Sequence, residues 1–169
     1  EKILIEEPGL RNIQDEKGRS LLWLAALNNH KELFPLLKNQ EYVADIFDMV
    51  AIADTEALTN LIKKDASILN VVNKSGYTPL VAAAECGQGA SAETLIGVGD
   101  WIDVQLPITK SAPIHLALQY PDTTEVNWMV QVLLGNGGNP NIKDKKENTP
   151  LHFAVVANNG FSVKMLLRK

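Results

Sequence analysis

The chain has 169 residues, with 20 acidic and 16 basic side chains, a formal net charge of −4 and a sequence pI of about 5.4. That balance argues against a general binder of nucleic acid or anionic membrane, which needs a basic footprint, and no apolar run reaches the ~18 residues of a membrane span. Cys86 is the only cysteine, so an internal disulfide is excluded and a reducing, intracellular setting, cytoplasmic or nuclear, is expected. No signal peptide is visible, but the chain opens abruptly on Glu1 and reads as a piece of something longer, so that says little about the parent.

In chain order, Leu4 to Asn12 parallels Leu61 to Asn70 with one residue missing, so residues 1–14 read as the tail of an upstream unit, or else as a disordered leader. In 15–39, Gly18-Arg19-Ser20 supplies a turn and a cap for a helix over 21–28. A second helix over 31–38 points Leu33, Leu36 and Leu37 inward, and Pro35 inside it is tolerable if the helix starts late, near Phe34. Residues 40–72 carry helices over 45–53, with Ile46, Phe47, Met49, Val50, Ile52 and Ala53 apolar, and over 56–64. A projecting segment is missing between Asn39 and Gln40, which predicts a direct helix-to-helix connection.

The best-defined unit is 73–105. Gly76 suits a turn at positive φ, Thr78 caps a helix, Pro79 occupies its first position, and Gly87 stops it. A second helix follows over 91–97, with Leu95 and Ile96 inward and Gly89 and Gly97 weakening its ends. In 106–143, Ala112 has lost the cap, Ser111 is a possible substitute, and extra residues fall within 121–125 before a helix over 125–134. In 144–169 Thr149 caps again. Leu166 and Leu167 provide no polar outer face at the end, so more chain is expected in the parent.

Thr78-Pro79-Leu80, Ala112-Pro113-Ile114-His115 and Thr149-Pro150-Leu151-His152-Phe153-Ala154 are copies of one motif, and Asn70 and Asp103 close equivalent segments (103 − 70 = 33). A period near 33 with a Thr-Pro-Leu-His-x-Ala core means that the chain resembles the ankyrin-repeat family over nearly its whole length. The resemblance implies an all-α solenoid of stacked antiparallel helix pairs with short β-hairpin-like fingers. Residues 1–169 then form one domain: 1–14 the tail of an upstream repeat, 15–39 repeat 1, 40–72 a degenerate repeat 2, 73–105 repeat 3, 106–143 repeat 4 with its insertion, and 144–169 a truncated repeat 5. It also implies that Ala25, Ala26, Ala83, Ala84, Ala117 and Ala154 are small for close packing, that His115 and His152 bond within and between turns, and that His30 fills the family's Gly-His step. Trp101 stands where the family has a small polar residue.

The function implied is a non-catalytic protein–protein interaction module, expected to be monomeric, binding a protein or peptide and neither nucleic acid nor a membrane interior. In such domains the partner meets the finger tips and the exposed face of the inner helices. Carried over by position, that surface includes Arg19, Leu27 and Asn28, then Lys74, Ser75, Tyr77, Glu85 and Cys86, then Thr109, Ser111, Gln119 and Tyr120, and finally Lys145, Lys146, Asn148 and Ala157. Tyr77, Tyr120 and Trp101 are the preferred anchors, since aromatic residues dominate interfaces; packing against an adjacent repeat is an equal reading for each. The cluster Lys143, Lys145 and Lys146 suits an acidic partner or is an ordinary solvated hairpin. Targeting or scaffolding for a multidomain protein is the leading role. The alternative is a substrate-presenting segment of a multidomain enzyme such as a bacterial effector, delivered into a host cytosol, and a third reading is a structural spacer.

No catalytic constellation is legible, and no cofactor or metal is expected. No His/Cys cluster has zinc spacing, and Gly87-Gln88-Gly89 lacks the strand a phosphate loop needs. Cys86 has no histidine near it in sequence. A cleft where His30, Cys86 and a carboxylate converge would overturn that reading.

Overall fold

The computed structural model describes residues 13–38, 44–99, 101–121 and 123–169. Ten α-helices lie within them and pair in order. The first pair is α1 (Leu21–Leu27) with a 3-10 turn at Lys31–Leu33 leading into α2 (Phe34–Leu37). Then come α3 (Ile46–Ala51) with α4 (Thr55–Lys64), α5 (Pro79–Glu85) with α6 (Gly89–Gly97), α7 (Pro113–Ala117) with α8 (Thr124–Gly135), and α9 (Pro150–Val156) with α10 (Gly160–Leu166). The inner helices pack in file, α1 on α3, α3 on α5, α5 on α7 and α7 on α9, while α4, α6, α8 and α10 form the second layer. Among the described residues the one isolated β-bridge joins Gln14 and Ser20. This is the all-α solenoid that the resemblance implies.

Helices this short are not stable alone, so each needs a cap and a neighbour. Ser20 accepts the Trp23 N–H at 3.0 Å, Asp45 accepts that of Asp48 at 2.9 Å, and Thr123 accepts that of Val126 at 3.2 Å. Ser20 also donates its hydroxyl to Asp48, which ties the cap of α1 to that of α3. The inner layer is thin because small residues face one another: Ala82, Ala83, Ala84, Ala112, Ala117 and Ala154 are fully buried. Larger side chains, including Leu58, Leu95, Met129 and Leu133, fill the space toward the outer layer. An aromatic run threads the first three pairs, with Trp23 stacked 5.6 Å from Phe47 and tilted 5.8 Å from Tyr77.

The structure refines several expectations. Pro35 is accommodated because the α-helical turn starts at Phe34, after the 3-10 segment. The same change of helical period breaks the shared face: Leu37 is buried, but Leu33 and Leu36 are each 38% exposed. Helix α6 starts at Gly89, and a Cβ there would stand 2.6 Å from Trp128 Cδ2, so the glycine permits close approach of α8. Thr78 caps α5 through its hydroxyl, 3.4 Å from Val81 N. Thr149 does not cap α9 in that way: its hydroxyl turns to the His152 ring, 2.9 Å from Nδ1. Ser111 does not replace the lost cap of α7; the Ala112 N–H instead donates to His115 Nδ1 at 3.0 Å.

That bond settles the proton on the His115 ring. Nδ1 accepts, so the neutral ring carries its hydrogen on Nε2, which donates to the carbonyls of Ile142 and Asn148, each at 3.2 Å. His115 thereby joins the start of its own helix to the turn that precedes α9.

The projecting turns share one conformation. Gly18 and Gly76 have φ of +76° and +77°, and Lys110 and Glu147 hold the equivalent position at +57° and +65°. Adjacent turns are laced together: Lys145 N donates to Thr109 O at 2.8 Å, and Gln105 Nε2 to Lys143 O at 2.9 Å. The turn at 15–20 meets the turn at 73–78 directly, with Asn73 Nδ2 bonded to Lys17 O at 3.0 Å and the Lys74 Cβ 3.4 Å from the position a Gly18 Cβ would take. Among the described residues no turn of the second pair intervenes. The connection expected between Asn39 and Gln40 and the tail expected at 1–12 lie outside the described residues.

Candidate docking groove

Beside the contact between the turns at 15–20 and 73–78, the first and third pairs share polar groups. Arg19 binds Asp15 through two nitrogens, Nε at 2.8 Å and Nη2 at 2.7 Å, and its Nη1 lies 3.6 Å from Glu85 Oε1. The Tyr77 hydroxyl donates to the same Oε1 at 3.3 Å. Glu85 is only 6% exposed, and its Oε2 has no hydrogen-bond partner. The Trp23 indole N–H is likewise buried without a hydrogen-bond partner. An unsatisfied buried polar atom costs about 1–3 kcal/mol, so this corner is not optimised for stability.

Beside that corner a groove of about 350 Å³ runs past the C-terminal ends of α1 and α5 to the start of α8. Leu27, Asn28, Glu85, Cys86, Tyr120 and Glu125 line it. Burial, followed by the charge of Glu85, pushes the Tyr120 hydroxyl up to about 12 and raises the Cys86 thiol. A thiol raised in this way stays protonated at neutral pH and is a poor nucleophile. The Glu85 carboxyl is also raised, by burial first, against the opposing pull of Arg19, Tyr77 and Lys17. His30 is not among the lining residues; it is exposed and its Nδ1 faces Glu32 at 3.2 Å. The convergence of His30, Cys86 and a carboxylate therefore does not form. Among the described residues no cluster of three or more His, Cys, Asp or Glu is arranged to hold a metal.

Most of the residues assigned to the surface from sequence separate into three sets. Glu85, Cys86 and Tyr120 come together in the groove, with Leu27 and Asn28. Lys74, Thr109, Lys145 and Lys146 stand exposed on the row of turns, with Ser75 partly covered, and Gln119 is exposed after α7. Tyr77 and Ser111, each 6% exposed, are inside the protein. Tyr77 packs against an adjacent repeat, where its ring completes the run with Trp23. Asn148 is partly buried and spends its side chain on Asp144 Oδ2 at 3.2 Å. Trp101 is 78% exposed, but it is not part of the groove. Ala157 is partly buried beyond α9. Sequence reasoning missed Lys31, Thr123 and Glu125, which also line the groove. The signal was the inserted stretch at 121–125, which carries the start of α8 to the groove edge.

Residues 2–106 match the family model described as ankyrin repeats (3 copies). The chain belongs to the ankyrin-repeat family, whose repeats are generally protein–protein interaction modules and typically non-catalytic. It is 29% identical over 117 residues to human Rabankyrin-5, covering 65% of this chain and 10% of that protein. It is 36% identical over 98 residues to alpha-latrotoxin-Lhe1a of Latrodectus hesperus, covering 58% of this chain and 7% of the toxin. Similarity to human neurogenic locus notch homolog protein 4 is 29% over 117 residues, 62% of this chain and 6% of the relative. The chain spans a tenth or less of the length of these relatives. Among the described residues no helix is long and apolar enough to cross a membrane.

Proposed function

We propose that this chain is a non-catalytic docking module that binds a protein or peptide along the groove beside Glu85, Cys86 and Tyr120 and across the adjoining turns. The observation that carries this is the groove itself. It is concave, of the size of a ligand cleft, and built from the ends of three inner-layer segments held in register by the stack. The exposed side chains Lys74, Thr109, Lys145 and Lys146 extend the contact surface along the turns. The module acts as a monomer inside the cell, without nucleic acid, and targets or scaffolds a larger protein; the far greater length of the relatives supports that last role.

The test is hydrogen exchange with and without a bound peptide selected by panning short random peptides on the whole chain. Protection is expected at 26–31, 85–88 and 119–126. Protection confined to the outer-layer helices α4, α6 and α10 would remove the groove from consideration.

A further inference from the structure

We propose, resting on that docking role, that the groove is a binding site for a cationic side chain, lysine or arginine, contributed by the docked partner. Four observations carry it. Glu85 lines the groove, is 6% exposed, and keeps one carboxylate oxygen without a hydrogen bond. Among the described residues one guanidinium stands beside it, and it is shared: Arg19 holds Asp15 at 2.7 Å and Glu85 only at 3.6 Å. One cation set between two carboxylates leaves negative charge uncompensated, and Lys17 adds its pull only from the exposed turn. In a shielded site that charge attracts a cation across several ångströms, without direct contact with Oε2.

The walls suit the rest of such a side chain. Ala26 and Leu27 offer apolar surface for its methylenes. Tyr120 borders the same space, and an aromatic face favours a cation. The protonated Cys86 thiol adds no opposing charge, and Glu125 places a second, exposed carboxylate at the edge. Lys31 also borders the groove, but it is exposed on a long stem and free to swing into solvent.

Short random peptides are displayed on phage and panned on the whole chain. The enriched sequences are expected to carry lysine or arginine at one fixed position. Exchanging that residue for its neutral isostere, norleucine for lysine or citrulline for arginine, should weaken binding about tenfold to the natural chain and less than about twofold to Glu85→Gln, as expected for a charge-dependent contact. Circular dichroism confirms that Glu85→Gln is folded. If it is not, Tyr120→Leu serves instead, with the penalty for the neutral isostere reduced about threefold through loss of the aromatic face. Enriched peptides with no fixed basic position, or equal binding of the charged and neutral forms, overturn the cation site while leaving the docking role standing. Enrichment of no peptide at all overturns both.

Discussion

Arg19 and Glu85 lie 66 positions apart (85 − 19 = 66), yet Arg19 Nη1 stands 3.6 Å from Glu85 Oε1. The contact joins the first helix pair to the third and passes over the second. Removing Arg19 should leave Glu85 buried with only the Tyr77 hydroxyl, so Arg19→Met is expected to destabilise the fold by about 2 kcal/mol. In Arg19→Met/Glu85→Met the loss should be smaller than the sum of the two single changes, because neither charge is then left buried. Urea unfolding of the three variants measures this, and strict additivity would show that the pair is not coupled.

Tyr77 and Tyr120 are predicted to part company on substitution. Tyr77 is 6% exposed and packs on Trp23, so Tyr77→Ala should cost about 3–5 kcal/mol of stability. Tyr120 is only partly buried at the groove edge, so Tyr120→Ala should cost about 1 kcal/mol or less and act chiefly on binding. Thermal unfolding separates the two, and equal losses would contradict the assigned positions.

Ala53 sits at φ +56°, just past the end of α3, in a conformation that disfavours a Cβ. Gly87 takes the matching place after α5 at +67°. Ala53→Gly should therefore stabilise the protein by about 1 kcal/mol and Gly87→Ala should destabilise it by a similar amount. A lower melting temperature for Ala53→Gly would mean that the methyl group packs better than the strain costs.

Gly89→Ala brings a methyl group toward Trp128, where its ideal position is 2.6 Å from Cδ2. A loss of about 1–3 kcal/mol is expected from overpacking. Trp128→Leu should recover part of it when combined with Gly89→Ala, since it removes the ring. Failure of that rescue in a denaturant titration would locate the strain elsewhere.

His115 has a pKa lowered from its ordinary 6.5, chiefly by burial, against the opposing pull of Asn148, Asp144 and Ile142. A histidine held neutral in the fold costs nothing above the unfolded value. Below about pH 6.5 the unfolded chain takes up a proton that the native ring resists, so stability falls with pH until the folded pKa is reached. Stability curves at pH 7.5 and 5.5 should therefore differ, and His115→Gln should flatten the difference. An unchanged slope in that variant would assign the pH response to other groups.

Much of the local structure was legible from single residues. Thr78 and Pro79 announced α5, Gly76 and Gly87 its flanking turns, and the copies at Pro113 and Pro150 announced α7 and α9. These are signals of backbone geometry, and they act within a few residues. Thr149 shows their limit: it has the cap residue at the cap position, but its hydroxyl bonds the His152 ring. The same limit explains Tyr77, whose position in the motif allowed both an open anchor and packing against a neighbouring repeat, and whose ring lies inside beside the indole of Trp23.

The sequence by itself determined that the chain is a stack of thin helix pairs, because the cap, stop and alanine pattern recurs and no unit has enough apolar surface to stand alone. It also marked the second unit as the one lacking a turn. Only the tertiary structure brings the turns at 15–20 and 73–78 together, sets Arg19 against Glu85, and leaves Glu85, Cys86 and Tyr120 around one groove. Contacts between residues so far apart depend on how the units rotate and pack on one another, which no local run of residues encodes.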